Sequence, residues 1–470
     1  MAATTTGLLD TVDFGRLDAE QDANVLDYFI EVGTAGAALR GKYLVVGRKG
    51  SGKTALFKHV AANVEGRAVE LDLENYVFAA HRVLRDTGVS DAFAYAASWR
   101  LAIAVSMYLE CRKDMRLRER FRGAMILRKL GAGANRGALA AIVDWLARVR
   151  KVELPSITGL ASLGGIELGD PDEKVFDRDT AQLLEQLESL LAQAAMRKPV
   201  TALIDRLDDA WDGSEESLRL IGGAVRAARH YARLFEVDGT APVVVFLRTD
   251  LWERIAFNDK NKIGQDTVNL DWTDDDLARV IDYRIHKTAG VPEGEGWAAV
   301  FTTERMRQKT SPLKYMIKRA LGRPRDVVAF AIYARETALG NGHAVVERQD
   351  VYDAEVAYSR HILNELKDEI GEHVPNIVAV INALKGLERR TFTLAKWNEV
   401  AISSGVDPAD AARVLDHLFE SSVVGVLRAG GRKGGSTTIY RYQDRFLKAT
   451  ETGSLQVHPA LTKELSLTDA

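Results

Sequence analysis

Residues 47–54 read Gly47-Arg48-Lys49-Gly50-Ser51-Gly52-Lys53-Thr54, the pattern G-x-x-x-x-G-K-T, directly after the apolar run Lys42-Tyr43-Leu44-Val45-Val46. Glycines at this spacing let the backbone curl so that successive N–H groups face one point, and a helix opening at Lys53 adds about half a positive charge at its N-terminus. The spacing predicts a phosphate-binding loop that takes a triphosphate. Lys53 reaches the β- and γ-phosphates, and the Thr54 hydroxyl is placed to ligate the accompanying Mg²⁺. The run Ala55-Leu56-Phe57-Lys58-His59-Val60 continues as an amphipathic helix. Such a loop needs a metal-ordering acid at the end of a neighbouring strand, and Leu203-Ile204-Asp205 supplies one. Asp208 and Asp209 follow closely enough to orient an attacking water. Phosphoryl transfer needs positioning and charge neutralisation more than a nucleophilic side chain.

Two arginine sites join this set. Arg248 stands where a strand Val243-Val244-Val245-Phe246-Leu247 ends, the edge at which open α/β sheets bind ligands. It could sense a γ-phosphate or pair with an acid such as Asp250 or Asp208. Gly322-Arg323-Pro324-Arg325-Asp326 precedes a helix, with Pro324 in the first turn where its missing N–H costs nothing. Arg323 and Arg325 are thereby aimed from a helix start and could meet phosphates.

The elements that must position these groups follow from the periodicity. Strand-type runs at 42–46, 68–73, 200–205, 243–247 and 267–270 alternate with helical patterns, which predicts a parallel five-stranded α/β sheet. Residues 1–40 form a lead-in, with Leu26, Phe29 and Ile30 at helical spacing, and 41–272 the nucleotide-binding core. A long insertion lies at about 80–175. From Cys111 to Lys151 it carries twelve Lys or Arg against three acids, a local net charge of +9. That is either a solvated helical face or a docking surface for nucleic acid or an acidic partner. Residues 273–370 read as a helical lid and connector. At 371–450 three helices and two short strands predict a winged helix, and 451–470 a tail.

Composition excludes several classes. The 470 residues are 46% hydrophobic and 27% charged, ordinary for globular protein, and the net charge of −3 offers no global attraction to nucleic acid or anionic membrane. The single Cys111 rules out an intrachain disulfide. The first residues lack the basic and apolar regions of a secretory signal, and no stretch of 18 apolar residues occurs. A cytoplasmic, unanchored protein is expected.

These motifs together resemble the STAND and origin-recognition (ORC-like) branch of AAA+-related P-loop ATPases. Asp205-Arg206-Leu207-Asp208-Asp209 is similar to the D-x-x-D-[DE] form of Walker B, Gly322-Arg323-Pro324 to the G-x-P element, and Gly322 to Arg325 to the G-x-x-R of a sensor-2 arginine. The run from Phe14 to Glu20, the segment Val46 to Leu56 and Asp205 to Trp211 resemble a little-studied bacterial group of such ATPases. The resemblance implies ATP and Mg²⁺ as ligands and an ATP-driven switch, often within conflict or antiphage systems. It further implies self-association and a separate effector protein. Two departures imply slow hydrolysis: Walker B lacks the adjacent acidic pair of standard AAA+ enzymes, and Arg-Thr-Asp replaces the usual sensor-1 asparagine. Arg206 and Arg248 are the candidates for completing a neighbouring subunit's site.

The second helix of the expected winged helix, Asp407 to Glu420, holds four acids against Arg413 and His417, the wrong sign for a helix entering a DNA groove. The wing, with Arg428, Arg432, Lys433, Arg441, Arg445 and Lys448, suits a phosphate backbone better. Protein docking and nucleic-acid binding both stay open here.

Overall fold

A computed structural model describes residues 7–30, 41–71, 92–130, 178–235, 241–256, 260–371, 374, 376–428, 430, 435–445, 447 and 453–468. The insertion from 131 to 177, Pro375, Arg432, Lys433 and Lys448 lie outside the described residues. The chain divides into two compact units, one of Met1–Ile30, Lys49–Gly52 and Asp271–Ala470, the other of Glu31–Arg48 and Lys53–Leu270.

The second unit is the α/β P-loop NTPase fold. Strands β1 (Leu44–Gly47), β2 (Arg67–Leu71), β3 (Val200–Ile204), β4 (Val243–Arg248) and β5 (Thr267–Asn269) form one sheet in the order β2-β3-β4-β1-β5. Every pairing is parallel. All residues of β1, β3 and β4 are buried, as unbroken apolar runs must be when helices cover both faces. Helix α1 (Lys53–Asn63) follows β1 directly. The longer helices of the unit are α2 (Ala92–Cys111), α3 (Leu117–Lys129), α4 (Arg178–Ala195) and α5 (Glu215–Leu234).

Helices α2, α4 and α5 are tied by buried polar contacts as well as by apolar packing. Trp99 Nε1 donates to Leu220 O at 2.9 Å, and Gly223 lets α5 approach so closely that a Cβ there would lie 2.9 Å from the Tyr95 backbone. Glu188, 2% exposed, accepts from Arg100 at 2.9 and 2.7 Å and has His230 Nε2 at 3.2 Å.

In the first unit, helices α6 (Asp274–Ala289), α7 (Pro312–Ile317), α8 (Pro324–Gly340) and α9 (Arg348–Gly371) pack together. Buried Glu355 joins α7 to α9, accepting from Tyr315 Oη at 2.7 Å and Arg319 Nε at 2.6 Å. Residues 14–30 are turns, not the helix suggested by Leu26, Phe29 and Ile30. Asp22 explains the difference: its carboxylate takes N–H groups of Arg16 and Asn24 and the Tyr28 hydroxyl, offering the backbone an alternative to helix.

After α9 come α10 (Ile377–Gly386), β6 (Thr391–Phe392), α11 (Leu394–Ser403), α12 (Ala411–Glu420), β7 (Val424–Arg428) and β8 (Thr437–Ile439). The segment read as a winged helix thus holds three helices and an antiparallel strand pair, β7 with β8. The segment read as a tail instead supplies β9 (Ser454–Val457), which pairs with both β6 and β7 in an antiparallel sheet ordered β6-β9-β7-β8. Leu455, Val457, Leu461 and Leu465 are buried there. No helix among the described residues is long and apolar enough to cross a membrane.

Glu188 makes acid sensitivity testable. Burial pushes its carboxyl up, but the hydrogen bonds from His230 and Arg100 outweigh that and hold it below the usual range. A depressed carboxyl stabilises the fold above its unfolded value of about 4.3 and loses that stabilisation as pH falls through the native value. Glu188→Gln should therefore cost roughly 1.5–3 kcal/mol at neutral pH and flatten the pH dependence of urea unfolding on the acid side. Equal acid slopes for variant and wild type would contradict this role.

Candidate functional site: a phosphate loop held from both ends

The sheet order sets the site. β4 lies between β1, which runs into the loop, and β3, which ends at Asp205. Gly47 is in register with Arg248, so the loop, Arg248 and Asp205 follow one another along the carboxyl edge of the sheet. The loop turns through positive φ at Gly50 (77°) and Gly52 (91°), backbone conformations that glycine adopts without strain.

At the base of the loop, Lys53 is half-buried and its Nζ donates to Gly47 O and Arg48 O, both at 3.2 Å. Burial lowers its pKa, while the carboxylates of Asp208 and Asp205 push the other way and favour the charged ammonium. Asp205 is 7% exposed. Burial raises its carboxyl, opposed by the Lys53 charge, the Arg206 N–H and the Thr54 hydroxyl. Thr54 and Asp205, the pair expected to share a metal ion, are thus brought together. Asp205 Oδ2 is buried with no hydrogen-bond partner among the described residues. A hard divalent cation takes such oxygen donors, a hydroxyl and a carboxylate, alongside phosphate oxygens. The residues fit Mg²⁺.

Past Asp205 the chain enters the left-handed region at Arg206 (φ 61°), a conformation that costs about 1–2 kcal/mol for a side-chain-bearing residue. It then forms a short 3₁₀ turn, Leu207–Ala210. Asp209 pairs with Arg206 at 2.8 Å. Asp208 instead lies beside Lys53 and has Arg248 Nη1 at 3.8 Å. Arg248, 6% exposed, is gripped bidentately by Asp250 at 3.1 and 2.8 Å. Of its two sequence readings, the ion pair is formed.

The tip of the loop, Lys49–Gly52, belongs to the first unit, and three consecutive carbonyls of it are occupied. Arg323 Nη1 donates to Lys49 O at 3.2 Å, the Arg325 N–H approaches Gly50 O at 3.4 Å, and Trp272 Nε1 donates to Ser51 O at 2.9 Å. The Trp272 ring also covers Gly52. Arg323 is 2% exposed and paired with Asp326 at 2.9 Å and Glu369 at 3.0 Å. Burial works to lower its pKa, but those two carboxylates outweigh it and keep the guanidinium charged. Pro324 occupies the first turn of α8, as expected. Arg325 Nη1 pairs with Glu365 at 3.2 Å. Both arginines thus meet the loop's carbonyl side. Trp272 was not apparent beforehand, since a lone Trp after a strand carries no spacing signal. Ser51 Oγ is buried without a partner among the described residues.

Of the basic insertion, α3 is described, with Arg118, Arg122, Arg128 and Lys129 exposed. Among the C-terminal cations, Arg445 bonds Asp271 at 2.7 Å, Arg441 donates to Leu447 O at 2.7 Å, and Arg428 lies 4.0 Å from Asp444.

Residues 275–367 match the family model of the FunZ-associated C-terminal helical domain, a segment running from the first turn of α6 almost to the end of α9. Along 97% of its length the chain is similar to the transposon gamma-delta 80.3 kDa protein of Escherichia coli K12, at 21% identity and covering 67% of that relative. Among solved structures it is similar to Cdc6p from Pyrobaculum aerophilum, at 12% identity and a TM-score of 0.32, over 96% of this chain and 93% of that one. Aeropyrum pernix ORC1 in complex with DNA matches at 13% identity and a TM-score of 0.35, over 90% and 86% of the two chains.

The buried Asp205 Oδ2, without a hydrogen bond among the described residues, predicts a trade of stability for function. In nucleotide-free protein with chelator present, Asp205→Asn should raise the calorimetric unfolding midpoint by about 2–4 °C, the effect of removing a penalty of ~1 kcal/mol. A midpoint at or below that of the wild type would contradict the burial cost assigned to this group.

Proposed function

We propose that this chain is an ATP-binding switch that hydrolyses ATP slowly in a Mg²⁺-dependent reaction and whose nucleotide state controls self-association and partner engagement. The observation that carries it is the convergence of Lys53, Thr54 and Asp205 beneath a loop of the Walker A pattern. In this reading the loop N–H groups from Arg48 to Ala55 bind the phosphate chain, and Lys53 neutralises the β- and γ-phosphates. Thr54 and Asp205 would hold Mg²⁺, which would supply charge stabilisation at the phosphoryl group undergoing transfer. Asp208 orients the attacking water: it is half-buried next to Lys53, whereas Asp209 is engaged by Arg206. Arg248, clamped by Asp250, fixes the position of Asp208 and leaves a weakened cation for the transferring phosphoryl group. That supports turnover slower than the ~1 s⁻¹ lower end of ordinary enzymes.

The finer reading is a role in bacterial conflict or antiphage defence, acting through a separate effector protein, in keeping with the STAND-like motifs. A second reading, a DNA-associated ATPase of initiator or loader type, is favoured by the exposed cations of α3. The relative's name places that relative in a transposon, where DNA contact has an evident use. A scaffold that binds nucleotide without turnover differs from both in its kinetics alone.

Titration calorimetry with Mg·ATP, combined with phosphate release, tests the reading. Wild type should bind, and ligand at a hundred times Kd should add about 2.7 kcal/mol of stability. Lys53→Ala should lose both binding and stabilisation, and Asp208→Asn should bind but lose turnover. Uptake of ATP by Lys53→Ala equal to wild type would sink the proposal. A rise in turnover with duplex DNA that fades steeply with salt would shift it to the second reading.

A further inference from the structure

The three carbonyls held at the loop tip determine three N–H groups. In a trans peptide the C=O of one residue and the N–H of the next point in opposite directions from one plane. Fixing Lys49 O therefore aims Gly50 N–H, fixing Gly50 O aims Ser51 N–H, and fixing Ser51 O aims Gly52 N–H. These are the donors a phosphate loop turns toward its ligand. Hydrogen bonding at the carbonyl end also polarises each peptide and strengthens the donor at the other end.

Two of the three holders are themselves braced by one turn of the C-terminal domain. Asp271, the neighbour of Trp272, receives a bidentate contact from Arg445 at 2.7 Å to both oxygens. Gly322, the neighbour of Arg323, lies against Tyr442 so closely that a Cβ there would fall 2.6 Å from the ring, and its φ of 69° already requires glycine. Tyr442 and Arg445 are three residues apart in the turn after β8. That turn is anchored in its own domain: Tyr442 N–H donates to Ser422 Oγ at 3.2 Å, and the Tyr440 ring packs edge-on against His458 at 4.5 Å.

We infer that Trp272 and Arg323 are positioning residues for the phosphate-binding N–H groups, and that the turn Tyr440–Arg445 sets the loop's nucleotide affinity by bracing both of them. This rests on the nucleotide-binding reading above and deepens it, since it names the part of the chain through which a partner of the C-terminal domain would regulate that site. By reciprocity, nucleotide in the loop alters how firmly the turn is held.

Trp272→Phe keeps the ring over Gly52 and removes only the N–H. With Mg·ATP, its Kd and KM should rise about 3- to 10-fold, the loss of one hydrogen bond, with kcat unchanged. Arg445→Asp and Asp271→Arg alone should each weaken binding about 2- to 5-fold, as expected for a half-exposed ion pair, and the double variant should recover most of the wild-type affinity. A residue of merely structural importance would not give this split or this rescue. Wild-type affinity in Trp272→Phe, or a double variant no better than the singles, overturns the inference while leaving the nucleotide reading intact. Failure of the wild type to bind ATP overturns both.

Discussion

A peptide group has two ends, and in a phosphate loop both must be satisfied. In the proposed function the N–H groups of Gly50, Ser51 and Gly52 bind the phosphates, so the carbonyls on the opposite side cannot be left to wander. Here Arg323, the Arg325 backbone and Trp272 take those carbonyls one by one. The rest of the first unit is arranged so that these three groups arrive in place. Arg323 needs Asp326 and Glu369 to be held charged while buried, and Glu369 needs α9 beside α8. The positive φ of Gly322 turns the chain from α7 into α8 at the required angle. The base of the loop obeys a separate constraint, a half-buried cation placed beside a buried carboxylate.

That second constraint distinguishes three carboxylates of the same turn. Asp205, Asp208 and Asp209 lie within five residues, yet each has a different partner. Asp205 is buried against Thr54 and carries an orphaned oxygen, Asp208 faces Lys53 and Arg248, and Asp209 turns back to Arg206. The left-handed Arg206 is what separates them, because it reverses the chain immediately after the strand. A buried carboxylate oxygen left without a hydrogen bond costs stability, and Asp205 Oδ2 carries that cost beside the loop.

The parts of the fold legible in the sequence were those with strong local signals. Apolar runs of β1, β3 and β4 sit in unbroken stretches, and the loop between β1 and α1 has a spacing that few other structures need. The helical stripes of α9 to α12 are similarly plain. What was not legible depended on contacts distant in the chain. β9 is four residues, Ser-Leu-Gln-Val, too short to display a period, and becomes a strand because β6 and β7 flank it. Leu26, Phe29 and Ile30 have helical spacing, but Asp22 captures the backbone locally and the segment turns instead. Trp272 gave no signal at all, since its role lies in one N–H reaching a carbonyl 221 residues earlier in the chain. The motif of Arg323 and Arg325 suggested phosphate contact, whereas their engagement of loop carbonyls depends on Asp326, Glu369 and Glu365 around them.

Amide hydrogen exchange, followed by mass spectrometry with and without Mg·ATP, addresses the coupling of loop and C-terminal domain directly. The account predicts that ATP slows exchange both in the loop, residues 47–55, and in the segments covering 271–276 and 440–447, and that Lys53→Ala abolishes all three effects together. Protection confined to the loop and α1, with the turn after β8 unchanged, would contradict it.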